Sequence, residues 1–314
     1  METTKPTYAI VFPGQGSQFP GMADPWSTHP AGERVLEEAS DSMGRDIAAG
    51  CHDEAALATT EFVQPALLAC GVAAFEVLSA EGLMEDSVVG AAGHSLGEFA
   101  ALVAAGVLTL RQALEVVVIR GAAMQRAGEQ RPGTMSALLG VGSADARSLC
   151  DDTREDDVLV VANENSPAQV VISGSVPAIE RAEVLAKERK IRAVRLSVAG
   201  AFHSSLMEAA VAPINEALDR FVFAPPRFPI AENVTGTLVD DPTELRRLVG
   251  LHVLSAVRWD ACAQALAAAG ASTFIECGAG DVLTKLAKRV VPGLRAVAVG
   301  SPEAAADALA APTA

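Results

Sequence analysis

Residues 93-GHSLG-97 match the pattern G-x-S-x-G, in which two glycines allow a sharp turn and a serine stands at its tip. The flanks give the match its meaning. The apolar run 87-SVVGAAG-93 reads as a buried strand, and 96-LGEFAALVAAGV-107 reads as a helix that starts directly after it. On such a turn the Ser95 hydroxyl stands clear of the sheet at a helix N-terminus. There, unpaired N–H groups and the positive end of the helix dipole favour developing negative charge. The chemistry this suits is nucleophilic attack on an acyl carbon, with the Leu96 N–H available to the oxyanion. A helix cap without chemistry is the plainer alternative, and the strand before the turn weighs against it.

A serine nucleophile needs a base, and the chain has five histidines. His29 and His52 lie in polar N-terminal segments. His94 adjoins Ser95 and should point elsewhere on a sharp turn. Of His203 and His252, His203 in 200-GAFHSSLM-207 sits where a strand gives way to a helix and is the candidate base. A hydrolase order of serine, acid, histidine would draw on Asp156 or Asp157, but both fall in a loop of a separate subdomain. Arg120, in 116-VVVIRGAAMQRA-127, stands on the otherwise apolar side of a helix. A buried guanidinium needs a partner, either a core carboxylate or the carboxylate of a substrate held by its planar fork. A hydrolase of neutral esters has no use for the second; a transferase of a carboxylated acyl group does.

These residues need elements to hold them. Tyr8 to Phe12 reads as a buried first strand, followed by the turn 13-PGQGSQ-18. The turn is not a dinucleotide cradle, because G-x-G-x-x-G from Gly14 requires glycine where Phe19 stands. Helical spacing is expected over 31–43, over 65–82 with Pro65 near the first turn, and over 111–127. After Pro132-Gly133 the order becomes strand 134–141, helix 143–152, strands 158–164 and 169–174, helix 177–189 and strand 191–198, which is the ferredoxin-like β-α-β-β-α-β. The expected organisation is α/β: a large α/β-hydrolase-like domain with a parallel sheet, formed by residues 1–128 and 199–314, into which a ferredoxin-like small subdomain is inserted over 129–198. The Ala-rich end, 301–314, is either a helix or a tail.

Composition narrows the partners. With 39 acidic against 24 basic residues the net charge is -15, which argues against nucleic acid or an anionic membrane surface. The 314 residues show no uninterrupted apolar run long enough to span a bilayer. Five dispersed cysteines without a C-x-x-C pair suit a reducing cytoplasm and no thiolate metal site. On that reading the sequon at Asn233 is a chance match. Two local basic concentrations, 187-KERKIR-192 with Arg195 and 285-KLAKR-289 with Arg295, read as solvated faces or as a docking site for an anionic partner.

Taken in order, the motifs FPGQGSQ, QPALLA (64–69), GHSLGE (93–98), ANENSP (162–167), QVVISG (169–174), GAFHS (200–204), AVRW (256–259) and ECGAGDVLTKLAKR (276–289) carry a family likeness over residues 8–299. The sequence resembles the malonyl-CoA:acyl-carrier-protein transacylases of fatty-acid synthesis and the related acyltransferase domains of polyketide synthases. The resemblance implies Ser95 as acyl-accepting nucleophile, His203 as base, Arg120 as partner of the malonyl carboxylate, and the N–H groups of Gln15 and Leu96 as oxyanion hole. Phe202 and Met124 would line the acyl pocket. Main-chain carbonyls around His252 would orient the base, so that no acidic third member is needed. It also implies malonyl-CoA as donor, the phosphopantetheine thiol of an acyl carrier protein as acceptor, and no cofactor or metal; with the cytoplasmic setting read from the cysteines, a monomer is the simplest expectation. Three positions depart from the common pattern: His252, where glutamine is common, Ala256, where proline often stands, and 278-GAGD-281. A trans-acting polyketide acyltransferase, a serine hydrolase or thioesterase, and a non-catalytic dinucleotide-binding domain are the rival readings.

Overall fold

The computed structural model describes residues 6–309. Among the described residues ten strands form two sheets: β1 (Tyr8–Phe12), β2 (Val88–Gly93), β3 (Gly133–Leu139), β4 (Leu159–Ser166), β5 (Gln169–Ser175), β6 (Arg192–Arg195), β7 (Ile230–Ala231), β8 (Leu238–Val239), β9 (Thr273–Cys277) and β10 (Arg295–Val299). The larger sheet has the order β10-β9-β1-β2-β7-β8 and is parallel up to β7, with β8 added antiparallel. Alternate side chains of β1 enter different cores, as the two-residue period of a strand requires. Tyr8, Ile10 and Phe12 face one helical layer, and Ala9 and Val11 face the other. A strand covered on both faces is therefore apolar throughout.

The first layer is built around the helix Thr60–Ala80, packed among the helices Pro30–Met43, Gly97–Ala104 and Leu110–Gln130. This helix begins five residues earlier than the sequence suggests. Thr59 caps it by accepting from Phe62 N, and Pro65 lies inside. An interior proline costs about 3 kcal/mol. Burial of Phe62, Val63, Leu67 and Leu68, at about 1.5–3 kcal/mol each, outweighs that. By length and mean hydropathy alone the same 21-residue helix could cross a bilayer, but Gln64 and Glu76 interrupt its apolar run and its surface is buried in the core.

The smaller sheet has the order β4-β5-β3-β6 and is antiparallel throughout, with the helices Ser143–Thr153 and Val176–Glu188 on one face. This is the ferredoxin-like arrangement. Its last strand is only four residues long, shorter than the 191–198 expected, because the chain turns toward the site after Arg195. Strand β4 also reaches the large domain: Val257 N donates to the Ala162 carbonyl and Glu164 N to the Val257 carbonyl. At the C-terminus Pro302–Leu309 is helical and buries Ala305 and Ala308; the rest of the Ala-rich end lies outside the described residues.

Candidate active site

Strand β2 ends at Gly93 and the next helix starts at Gly97, leaving three residues for the turn. Ser95 at its tip has φ 50°, a left-handed conformation that a non-glycine residue adopts at a strain of order 1–3 kcal/mol. Three bonds hold it there: His94 N to the Phe12 carbonyl at 2.9 Å, Ser95 N to Asn233 Oδ1 at 2.8 Å, and Gly97 N to the His94 carbonyl at 3.0 Å. A Cβ on Gly93 would overlap the Gly97–Glu98 backbone, and one on Gly14 would overlap the His94 carbonyl. The opening turn after β1 thus lies directly against the serine turn. Among the described residues the N–H groups of Gln15 and Leu96 have no intramolecular acceptor.

Ser95 Oγ has two side-chain neighbours. His203 Nε2 lies 2.9 Å away and Arg120 Nη2 donates across 3.1 Å. His203 Nδ1 is 3.1 Å from the His252 carbonyl and 2.9 Å from the Ser255 carbonyl. Carbonyls only accept, so Nδ1 carries the proton and Nε2 is left as an acceptor toward Ser95. Burial, reinforced by the nearby Arg120 guanidinium, pushes the His203 pKa down to about 3. The ring is neutral at physiological pH and able to take a proton. Asp157, by contrast, pairs with Arg181 at 2.8 Å and takes no part.

Arg120 is 1% exposed, yet among the described residues no carboxylate pairs with it. Nη1 donates to Gln64 Oε1 at 2.7 Å, the guanidinium lies 5.9 Å from the Phe99 ring centre, and Nε has no acceptor. Desolvation lowers its pKa to about 10, with buried Glu98 working against the shift, so it remains a cation. A buried cation without a counter-ion, aimed at a serine, is an open receptor for an anionic group.

These groups line a cavity of about 80 Å³ together with Gln15, Leu96, Met124 and Phe202. A second cavity of about 270 Å³ shares Gln15, His94, Asn163 and Leu196 with it and continues past Val282, Leu283 and Leu286. The two together form a small chamber at the end of a wider channel. Larger surface hollows, such as the one of about 770 Å³ beside Glu33, Glu37 and Asp41, contain none of this chemistry.

All seven residues singled out in the sequence, Gln15, Ser95, Leu96, Arg120, Met124, Phe202 and His203, meet at this one cavity. Three others, Gln64, Asn165 and Asn233, belong to the site without having been singled out, and the His252 side chain joins them although only its backbone had been given a role. Gln64 holds the Arg120 fork; Asn165 Oδ1 bonds His94 Nε2 at 2.8 Å and keeps that imidazole from Ser95. Asn233, set aside as a chance sequon, bonds the serine turn, and the His252 side chain bonds Asn233 at 3.1 Å. Complete burial was the signal for Gln64 and Asn233, and burial is not visible in a single sequence.

The family model described as "Acyl transferase domain" matches residues 9–306. The malonyl CoA-acyl carrier protein transacylase of Bacillus subtilis (strain 168) is 37% identical over 300 residues, covering 94% of each chain. The crystal structure of the malonyl-CoA:acyl carrier protein transacylase from Xanthomonas oryzae pv. oryzae superposes with a TM-score of 0.92 at 39% identity, covering 98% of each chain. A malonyl-transacylase in complex with its type II polyketide acyl-carrier protein gives a TM-score of 0.92 at 36% identity, covering 96% of this chain and 99% of that one. A family match over nearly the whole length, joined to a serine, a histidine and an unpaired arginine around one cavity, makes this chain a member of the acyltransferase family that includes the malonyl-CoA:acyl-carrier-protein transacylases.

Proposed function

We propose that this chain is a malonyl-CoA:acyl-carrier-protein transacylase that works through an acyl-Ser95 intermediate. The observation that carries the reading is the shared environment of Ser95 Oγ, with an acceptor nitrogen on one side and an uncompensated guanidinium on the other. His203 Nε2 takes the serine proton as Oγ forms its bond to the thioester carbon. The carbonyl π pair moves onto oxygen, which receives the N–H groups of Gln15 and Leu96. As the C=O bond re-forms the C–S bond breaks, and the imidazolium returns its proton to the leaving CoA thiolate. The second half runs the same steps with the phosphopantetheine thiol of the carrier as nucleophile. Two carbonyls fix the Nδ1 proton throughout, so no acidic third residue is required.

Arg120 receives the malonyl carboxylate, and Met124 and Phe202 bound the acyl chamber. Ser95 N is already committed to Asn233, which supports assigning the oxyanion to Gln15 and Leu96 rather than to the serine itself. Every group in the scheme comes from one chain and none needs a metal or cofactor, so a monomer suffices. Five buried cysteines, all free, suit a cytoplasmic setting. Of the two basic segments, the one near residue 285 is the better carrier dock: its helix lines the channel, and Arg289 Nη1 reaches channel-lining Gln169 at 3.0 Å. In the other, Arg189 and Arg195 are paired with Asp152 and Glu183.

Intact-mass analysis after incubation with a panel of CoA thioesters tests the reading. A malonyl adduct should form and disappear on addition of carrier protein, and Ser95→Ala should form none; an adduct on that variant would refute the nucleophile. Fast hydrolysis of the adduct without acceptor would favour a thioesterase instead. Whether the carrier belongs to a fatty-acid or a polyketide system is decided by which candidate clears the adduct.

A further inference from the structure

The proposed dyad leaves one buried side chain unexplained. Asn233 is fully buried in the loop after β7, and every one of its polar atoms is bonded. Oδ1 accepts from Ser95 N at 2.8 Å and from His252 Nε2 at 3.1 Å; Nδ2 donates to the Gly93 carbonyl at 2.7 Å. Its own backbone is pinned as well, with N donating to Glu98 Oε2 at 2.9 Å and the carbonyl accepting from Arg258 N at 2.9 Å.

We propose that Asn233 is a positioning residue that holds the nucleophile and the orienter of the base in one frame. The inference rests on the acyl-serine reading above. One amide touches both sides of the Ser95–His203 pair. On one side it clamps the Gly93 carbonyl and the Ser95 N–H, the two ends of the strained segment that carries Oγ at φ 50°. On the other it receives the Nε2 proton of His252, whose carbonyl in turn accepts the Nδ1 proton of His203. Among the described residues His252 Nδ1 has no partner, so the imidazole is anchored to Asn233 alone and carries its proton on Nε2. Burial, with Arg120 and His203 nearby, depresses the His252 pKa and keeps this donor–acceptor assignment fixed.

Three consequences follow. The Ser95 N–H is withdrawn from the oxyanion, which throws that task onto Gln15 and Leu96. Relaxation of the serine turn would move Oγ away from His203 Nε2, and a shift of about 1 Å at reacting atoms can lower a rate on the order of 100-fold. Loss of the His252 anchor would loosen one of the two carbonyls that hold the base, even though the backbone of residue 252 is still present.

The test measures the single-turnover rate of Ser95 malonylation by saturating malonyl-CoA, alongside the downfield Nδ1 proton resonance of His203 in the full-length protein. In Asn233→Ala the rate should fall about 100-fold, with the apparent affinity for malonyl-CoA within threefold of wild type, and the Nδ1 resonance should shift or broaden. His252→Leu, which removes only the side-chain anchor, should show a smaller rate loss and the same spectral change, and His252→Gln, which restores an N–H donor, should recover most of it. Should Asn233→Ala fail to fold, the two His252 variants decide the matter. A folded Asn233→Ala that acylates within threefold of wild type overturns the proposal, as does an undisturbed His203 resonance in the variants. Absence of acylation in the wild-type protein would instead overturn the acyl-serine reading.

Discussion

Arg120 donates to the same oxygen, Ser95 Oγ, that His203 Nε2 approaches from its other side. The cation therefore points at the nucleophile, held by Gln64. On the proposed reading, the malonyl carboxylate offers the guanidinium a better partner than a neutral hydroxyl, so that binding the acyl group and releasing Oγ would be one event. Charge-assisted bonds contribute about 1.5–3 kcal/mol each, and two of them correspond to a rate effect on the order of 100-fold or more. Arg120→Ala should reduce malonyl transfer by at least that factor while changing acetyl transfer by less than about fivefold, measured as kcat/KM with the two CoA thioesters. Equal losses for both would make the arginine structural.

The pH dependence should be unusual for a histidine base. Burial and Arg120 bring the His203 pKa to about 3, far below the ordinary value of roughly 6.5. At pH 5.5 an ordinary histidine would be about 90% protonated and the rate down about tenfold; here acylation should stay within twofold of its value at pH 7.5. Stability moves differently. His94, His203 and His252 all have lowered values in the fold, so between about pH 6.5 and their folded values the unfolded chain binds protons that the folded chain refuses. Their contribution to stability therefore declines as pH falls through that window, by about 1.4 kcal/mol per pH unit for each. Buried Glu98 and Glu232, whose values are raised, act with the opposite sign: their contribution is present at low pH and fades as pH rises through their folded values. Rate and near-UV circular dichroism should be followed together. A tenfold rate loss at pH 5.5 in protein that is still folded would contradict the buried neutral base.

How much of this was legible in the sequence varied with how local each signal is. Ser95, the strand before it and the helix after it lie within about twenty residues, so pattern and period identify them. Arg120 stood out because a cation interrupts an apolar helix face. The small subdomain was readable from its alternation of periods, although β6 stops early as the chain turns into the site. Asn233, Gln64 and Asn165 were missed for one physical reason: each bonds a partner 56 to 140 positions away, and a lone amide carries no periodic signal. His252 was placed through its backbone, while its side chain acquires a role only once Asn233 is seen to be buried beside it. The start of the Thr60–Ala80 helix was misjudged because proline is a local signal, and the burial that overrides it is not.

Carrier recognition should map to the helix Val282–Val290. The protein is acidic overall, so an acidic carrier needs a local field to steer it. Lys285 is already engaged by Asp281 at 2.8 Å, whereas Lys288 and Arg289 have no carboxylate partner among the described residues. Val282, 41% exposed, and Leu286 bring the apolar side of the same helix to the channel. Reversing both charges, Lys288→Glu with Arg289→Glu, should raise KM for the carrier on the order of tenfold at low ionic strength and flatten its salt dependence. The effect should shrink as salt screens the pair beyond a Debye length of about 8 Å near 0.15 M. The rate constant for acylation by saturating malonyl-CoA should stay within twofold, because neither side chain touches the acyl chamber. Carrier KM and salt slope both unchanged would remove this helix from the docking surface and return attention to the unpaired members of the segment near residue 190.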